Sequence, residues 1–208
     1  MPHSGGKTDI NSLLRKAGID AATVDAVIGI DALLQNWRRR AQKREIGNRA
    51  LNDLKIGIDL AQFDVLVAIA GPEDEFGISA GETMVATVAE RLSIDPSRAS
   101  RVVSEMVEAG YARRAVSQAD ARRTIIELSD AGVAIIEAVR AYKYLIMGDF
   151  LAGWPSDEVA TFLPLLLKFG QWQNHVDIGV EKYSDDIAAL ARQIAAATHK
   201  ADVIETIG

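Results

Sequence analysis

Apolar side chains recur between residues 21 and 50 at Val24, Val27, Ile28, Leu33, Leu34 and Trp37, a spacing that predicts an amphipathic helix. Gly29 and Gly47 allow a break in it. A second helix is expected over 60–70, stopped by Gly71 and Pro72, with an acidic, Gly-bearing loop over 73–81. Over 82–92 the helical interval returns at Met84, Val85, Val88, Ala89 and Leu92. Ser93 and Ile94 make a turn, and Asp95-Pro96 opens a new helix. Asp at the cap accepts an orphan backbone N–H, and Pro at the first helical position loses no hydrogen bond. That helix should end near Ala109-Gly110, where Gly supplies a left-handed residue. Two short helices around a tight turn have the outline of a helix-turn-helix, and equally of an ordinary helical hairpin.

The outer face of the second helix separates these two. Ala99, Val102, Val103, Met106 and Val107 share one side and would pack inward. Opposite them lie Ser97, Arg101 and Ser104, flanked by Arg98 and Ser100. Arg can fork onto guanine O6 and N7, and short hydroxyls reach base edges or phosphate without blocking the groove. Glu105 and Glu108 also lie outward, but toward the end of the helix that tips away from the bases in a groove-bound geometry. This face reads as a DNA-recognition helix.

After Gly110 the period becomes strand-like. Residues 111–116 and 124–128 flank a turn, giving a β-hairpin whose tip carries Asp120, Arg122 and Arg123. A polar hairpin directly after a recognition helix is a wing, and Arg at its tip can enter a narrow minor groove. Asp120 is expected to orient Arg122 by a charge-assisted hydrogen bond.

Further along, residues 130–153 predict a long helix with Ile135, Ile136, Val139 and Tyr142 on one face. Pro155 opens another, expected to kink at Pro164. Phe162, Leu163, Leu165, Leu166, Leu167 and Phe169 cover almost its whole circumference, so it must be buried in a core or an interface. A last helix is expected from Ser184 as N-cap, with Asp185 and Asp186 in its first turn and an apolar stripe of Ile187, Leu190, Ala191 and Ile194.

The net charge of −6 argues against nucleic acid until its distribution is read. Between Trp37 and Lys55 seven basic residues face two acidic ones, and between Arg91 and Arg123 seven arginines face four acidic residues. A basic face can therefore coexist with an acidic remainder. The 208 residues, 49% apolar and 25% charged, suit a globular chain with a sizeable core. The absence of cysteine removes thiol nucleophiles, thiolate metal sites and cysteine redox sensing. No signal-peptide pattern or membrane-length apolar run is present, and a cytoplasmic protein without a membrane partner is expected. His3, His175 and His199 have no metal-ligand spacing, and no Walker, GxSxG or dinucleotide motif occurs. Neither an enzyme nor a cofactor is expected.

The stretch TVAERLSIDPSRASRVVSEMVEAGYARRAVSQADARRTIIELSDAG resembles the MarR family of bacterial transcriptional regulators. Asp120-Ala121-Arg122 is similar to that family's Asp-x-Arg wing signature, and TIIEL running into SDAG to its wing-to-helix transition. The resemblance implies a mainly α fold with a small β wing, in which a winged helix-turn-helix domain joins a helical dimerisation domain. It implies a homodimer on pseudo-palindromic double-stranded DNA, commonly a repressor released by a small, often aromatic-acid, ligand. Ser97, Arg98, Ser100 and Arg101 would take the recognition-helix roles, Arg122 the wing role, and Arg123 a phosphate contact.

The expected organisation is a flexible extension over 1–20, a dimerisation and basic helix over 21–55, and a winged domain over 56–128. C-terminal dimerisation helices over 129–174 and an extra helix over 175–208, covering or extending the dimer interface, complete it. Family pockets lie between the winged domain and the dimerisation helices. There Trp37 could offer an aromatic wall, Arg40 or Arg44 a carboxylate clamp, and Tyr142 a phenol. Trp37 and Tyr142 read equally as core or interface aromatics. The competing functional reading is a winged helix used for protein–protein contact, which would not need hydroxyls and Arg on both elements.

Overall fold

The computed structural model describes residues 9–71 and 81–205. Pro72, most of the expected acidic loop, His3 and the first eight residues of the expected flexible extension lie outside them. The order is α1 (Ile10–Lys16), α2 (Ala21–Lys43), α3 (Glu45–Asp53), α4 (Leu60–Ala70), α5 (Val85–Leu92) and α6 (Pro96–Glu108). A hairpin follows, β1 (Ala112–Val116) and β2 (Thr124–Leu128), then α7 (Asp130–Ala152), α8 (Ser156–Gly170), a 3-10 turn Gln171–His175, α9 (Val176–Lys182) and α10 (Ser184–Glu205). The fold is mainly helical with one antiparallel pair of strands, a winged helix. Two compact units divide it: Arg40–Gly153, and the segments up to Arg39 and from Trp154 onward. Among the described residues no helix is long and apolar enough to cross a membrane.

In the Arg40–Gly153 unit, Leu51, Ile58, Val65, Leu66, Val88, Val103, Met106 and Ile126 form the buried core. Ile135, Ile136 and Val139 of α7 pack against it. α4 begins with a reciprocal cap: Asp59 accepts from the Gln62 N–H at 2.8 Å, and Gln62 returns a bond from the Asp59 N–H at 3.1 Å. At its other end Gly71 has φ +82°, and the Arg91 guanidinium lies over it while donating to the Ala68 carbonyl at 2.6 Å and the Thr83 hydroxyl at 3.0 Å.

The long helix expected over 21–50 does break, but not at a glycine. The break is at Arg44, whose φ of 52° is left-handed. Both terminal nitrogens of Arg44 donate to the Asp64 carboxylate on α4, one at 2.6 Å. A bidentate charge-assisted pair of this kind offsets the backbone cost of a left-handed residue with a Cβ.

α5 starts three residues later than expected. Thr83 instead stays outside the helix, its carbonyl accepting from the Ile126 N–H of β2 at 2.7 Å. α8 runs through Pro164 as one element, the 3-10 turn follows it, and the extra helix expected over 175–208 is split into α9 and α10. Ser184 is the first helical residue of α10 rather than its cap, and the Tyr183 carbonyl accepts from the Ile187 N–H at 2.9 Å.

α6 ends as Gly110 predicts: φ is +80°, and the Tyr111 N–H reaches back to the Met106 carbonyl at 2.9 Å. The start of α7 sits on this end. The Ser129 hydroxyl donates to the Gly110 carbonyl at 2.6 Å, and its N–H to the Tyr111 carbonyl at 3.0 Å. Gly132 is buried so closely there that a Cβ would stand 2.1 Å from the Tyr111 oxygen. Backbone, not a mobile side chain, occupies that space. Gly132→Ala should therefore lower stability by about 1–3 kcal/mol through overpacking. Equilibrium unfolding in denaturant checks this, and an unchanged midpoint would show that the joint yields freely.

Candidate nucleic-acid interface

α6 is fixed at both ends, which leaves its outer face as the variable part. Asp95 caps it, accepting from the Arg98 N–H at 2.9 Å. The Ser97 hydroxyl also donates to this carboxylate. That hydroxyl, and then the Arg98 amide, hold the Asp95 carboxyl below its ordinary range. The turn before the helix is closed by Ser93 in a left-handed conformation, φ 52°, with the Ile94 N–H bonded to the Ala89 carbonyl at 3.0 Å. Ala99, Val103 and Met106 are buried as the helical period requires. Ser97, Arg98, Ser100 and Arg101 are exposed, and Ser104 is half-buried.

Two of these side chains have neighbours that the sequence did not reveal. Arg114 of β1 donates to the Ser104 hydroxyl at 3.0 Å, so Ser104 joins α6 to the hairpin. Arg101 lies 3.7 Å from Glu105 one turn on, an exposed pair of the weak kind that a stronger anion displaces. Among the described residues no ion pair holds Arg98 or Arg122.

The hairpin pairs Ala112 with Leu128 and Val116 with Thr124. Arg113 and Glu127 face each other across it at 2.9 Å. At the tip, Asp120 accepts from the Arg122 backbone N–H at 3.0 Å and stands 3.5 Å from the Arg123 guanidinium. Its hold is thus on the Arg122 backbone and the Arg123 side chain, not on the Arg122 guanidinium as expected. The i,i+2 spacing favours the closer backbone N–H, a turn geometry common for Asp.

The hairpin turn is also fastened from outside. Glu82, ahead of α5, accepts from the buried Ser117 hydroxyl at 2.5 Å and from the Gln118 N–H at 2.8 Å. Ser117 in turn accepts from the Ala119 and Asp120 amides at 3.1 and 3.0 Å. A Ser opening a turn is a recognisable local signal, whereas Glu82, 35 residues away, carries none.

Of the four side chains assigned to an effector, Trp37 and Arg40 are exposed on α2. The other two are engaged by the protein's own carboxylates. Arg44 binds Asp64, which raises its already high pKa. The Tyr142 hydroxyl donates to Asp53 at 2.7 Å, and that carboxylate pushes the phenol pKa up. Arg49 stands 3.5 Å from the same carboxylate. Among the described residues no group of three His, Asp or Glu side chains could hold a metal ion.

A helix-turn-helix followed by a two-stranded wing, with arginines exposed on both, defines a winged helix-turn-helix domain. Residues 56–123 match the model of the MarR family. Solved structures share the fold. A MarR family protein from Bacillus stearothermophilus is 21% identical with a TM-score of 0.57, over 72% of this chain and 96% of that one. The protein RV1404 from Mycobacterium tuberculosis is 21% identical with a TM-score of 0.53, over 68% and 90%. A MarR family transcription regulator is 20% identical with a TM-score of 0.50, over 73% and 96%. A comparison with curated proteins finds no match.

The fastening of the wing depends on pH. The Ser117 hydroxyl first, and the Gln118 amide next, hold the Glu82 carboxyl below its ordinary range, with Arg123 adding to this. A carboxyl whose pKa is lowered by folding stabilises the protein above its ordinary unfolded value, and loses that contribution as pH falls through the lower folded value. The melting temperatures of wild type and Glu82→Gln should therefore differ at neutral pH and converge in acid. A difference that stays constant would separate Glu82 from the pH response.

Proposed function

We propose that the protein is a sequence-specific, double-stranded DNA-binding transcriptional regulator. It acts as a homodimeric repressor on a pseudo-palindromic operator and is released by a small effector. The observation that carries this reading is the joint exposure of Ser97, Arg98, Ser100 and Arg101 on α6 and of Arg122 and Arg123 on the wing. An α-helix fits the major groove, and a two-stranded tip carrying Arg reaches the adjoining minor groove. The exposed Arg101–Glu105 pair would exchange for a base edge at little cost. An aromatic acid as effector would find Arg40 exposed, but Arg44 only after displacing Asp64.

Arg101→Ala should cost on the order of 1–3 kcal/mol at one symmetric pair of base positions and relax specificity there. Selection from random duplexes, with wild type and variant in parallel, measures this. The half-site centres should lie roughly 10 base pairs apart, as two-fold-related helices in successive major grooves require. Affinity lost equally on all sequences would make Arg101 a phosphate contact. No binding to any duplex would favour a winged helix that contacts protein.

Large apolar side chains stand exposed in the single chain, Leu145 at 76% and Phe150 at 63% on α7 and Leu163 at 59% on α8. A stable dimer buries about 1,200–2,000 Å² in total, and helices of this character supply such a surface. Leu163→Asp places a charge where a lone chain meets water but a dimer meets carbon. Sedimentation should give a dimer for wild type at nanomolar protein and a helical monomer for the variant. A folded wild-type monomer at micromolar concentration would remove the dimer from the reading.

A further inference from the structure

The segments outside the winged domain line an open-sided cavity of about 470 Å³, within the usual range for small-molecule sites. It lies between α1, the 3-10 turn, α9 and α10, all outside the matched residues 56–123. Leu13 and Leu14 wall one side, Trp172 and Val180 another, and Ile187 and Leu190 a third. The walls are carbon almost throughout. The ionisable side chains along it are His175, Tyr183 and Asp186, with no Lys or Arg among them.

We propose that this cavity binds a small, neutral, hydrocarbon-rich molecule, aromatic or aliphatic. Charge complementarity selects that chemistry. An anionic ligand would bury its carboxylate against carbon with no cation to pair it and with Asp186 nearby, an arrangement with a large desolvation cost. A neutral apolar molecule loses nothing polar and removes the carbon walls from water. The stripe on α10 has divided duties: Ile187 and Leu190 face the cavity, while Ile194 is 66% exposed and available to a partner. This site is distinct from the side chains assigned to an aromatic acid. It requires neither DNA binding nor the regulatory reading.

Gly179 makes the site testable. It lines the cavity from α9, and a Cβ built on it meets no atom within 4 Å. Gly179→Leu should therefore fill the space without strain, and removing a helical Gly should, if anything, raise the melting temperature. Equilibrium dialysis of the full chain against naphthalene and 1-naphthoate, without DNA, is the experiment. Naphthalene should bind saturably, one per chain, with naphthoate about tenfold or more weaker. Gly179→Leu should keep its circular dichroism and lose naphthalene affinity about tenfold or more. Unsaturable naphthalene uptake, equal binding of the anion, or unchanged binding by folded Gly179→Leu would each overturn the proposal. Naphthalene bound by monomeric Leu163→Asp but not by the wild-type dimer would also overturn it, assigning the cavity to a second copy of the chain.

Discussion

The joint between the end of α6 and the start of α7 is the constraint on which the Arg40–Gly153 unit depends. Gly110 must be left-handed to turn the chain out of α6, and this presents the Gly110 and Tyr111 carbonyls to Ser129. Ser129 then serves both sides, capping α7 through the Gly132 N–H at 3.2 Å while bonding the end of α6. Because Gly132 lacks a side chain, the two helix ends meet backbone against backbone. α7, 23 residues long, is thereby tied to α6 with backbone against backbone. Bonds of this kind satisfy terminal backbone groups that would otherwise be left unpaired.

The outer surface follows a different logic, because its polar groups are restrained without being consumed. Ser97 gives its proton to Asp95 but keeps lone pairs to accept with. Ser104 accepts from Arg114, which holds a hydroxyl of the helix against a strand of the hairpin. Arginines on the helix and wing stand in water. Restraint of this sort reduces the rotamer freedom that a side chain would lose on contact with a ligand. The overall charge of −6 remains compatible with such a face, since the field near a surface is set by its nearest charges.

What the sequence made legible was local. The end of α4 followed from Gly71, and the bounds of α6 from Asp95-Pro96 and Gly110, because caps and left-handed ends act within a few residues. The hairpin followed from a change of period, and its strands agree with expectation to within one residue. What escaped was set by partners distant in sequence. Glycines at 29 and 47 were the natural places for a break, yet Asp64 moves it to Arg44. The late start of α5 accompanies a bond from the Ile126 N–H of β2 to the Thr83 carbonyl. Asp120 and Arg122 were correctly grouped at one tip, but their mode of contact depends on backbone geometry that residue types do not specify. The start of α9 had no cap strong enough to announce it, since no side-chain cap bond opens that helix.

The attachment of the wing through Glu82 and Ser117 has a consequence for how such a protein can change. A hairpin tip that depended on its own side chains for shape would resist substitution. Here the turn is pinned at its root by a carboxylate from another segment, and the tip residues Ala121, Arg122 and Arg123 are exposed. Substitutions at Ala121 and Arg122 leave the hydrogen bonds of the pin intact. The tip can therefore drift through many side chains while the scaffold beneath it persists, separating the inheritance of the fold from the inheritance of whatever the tip touches.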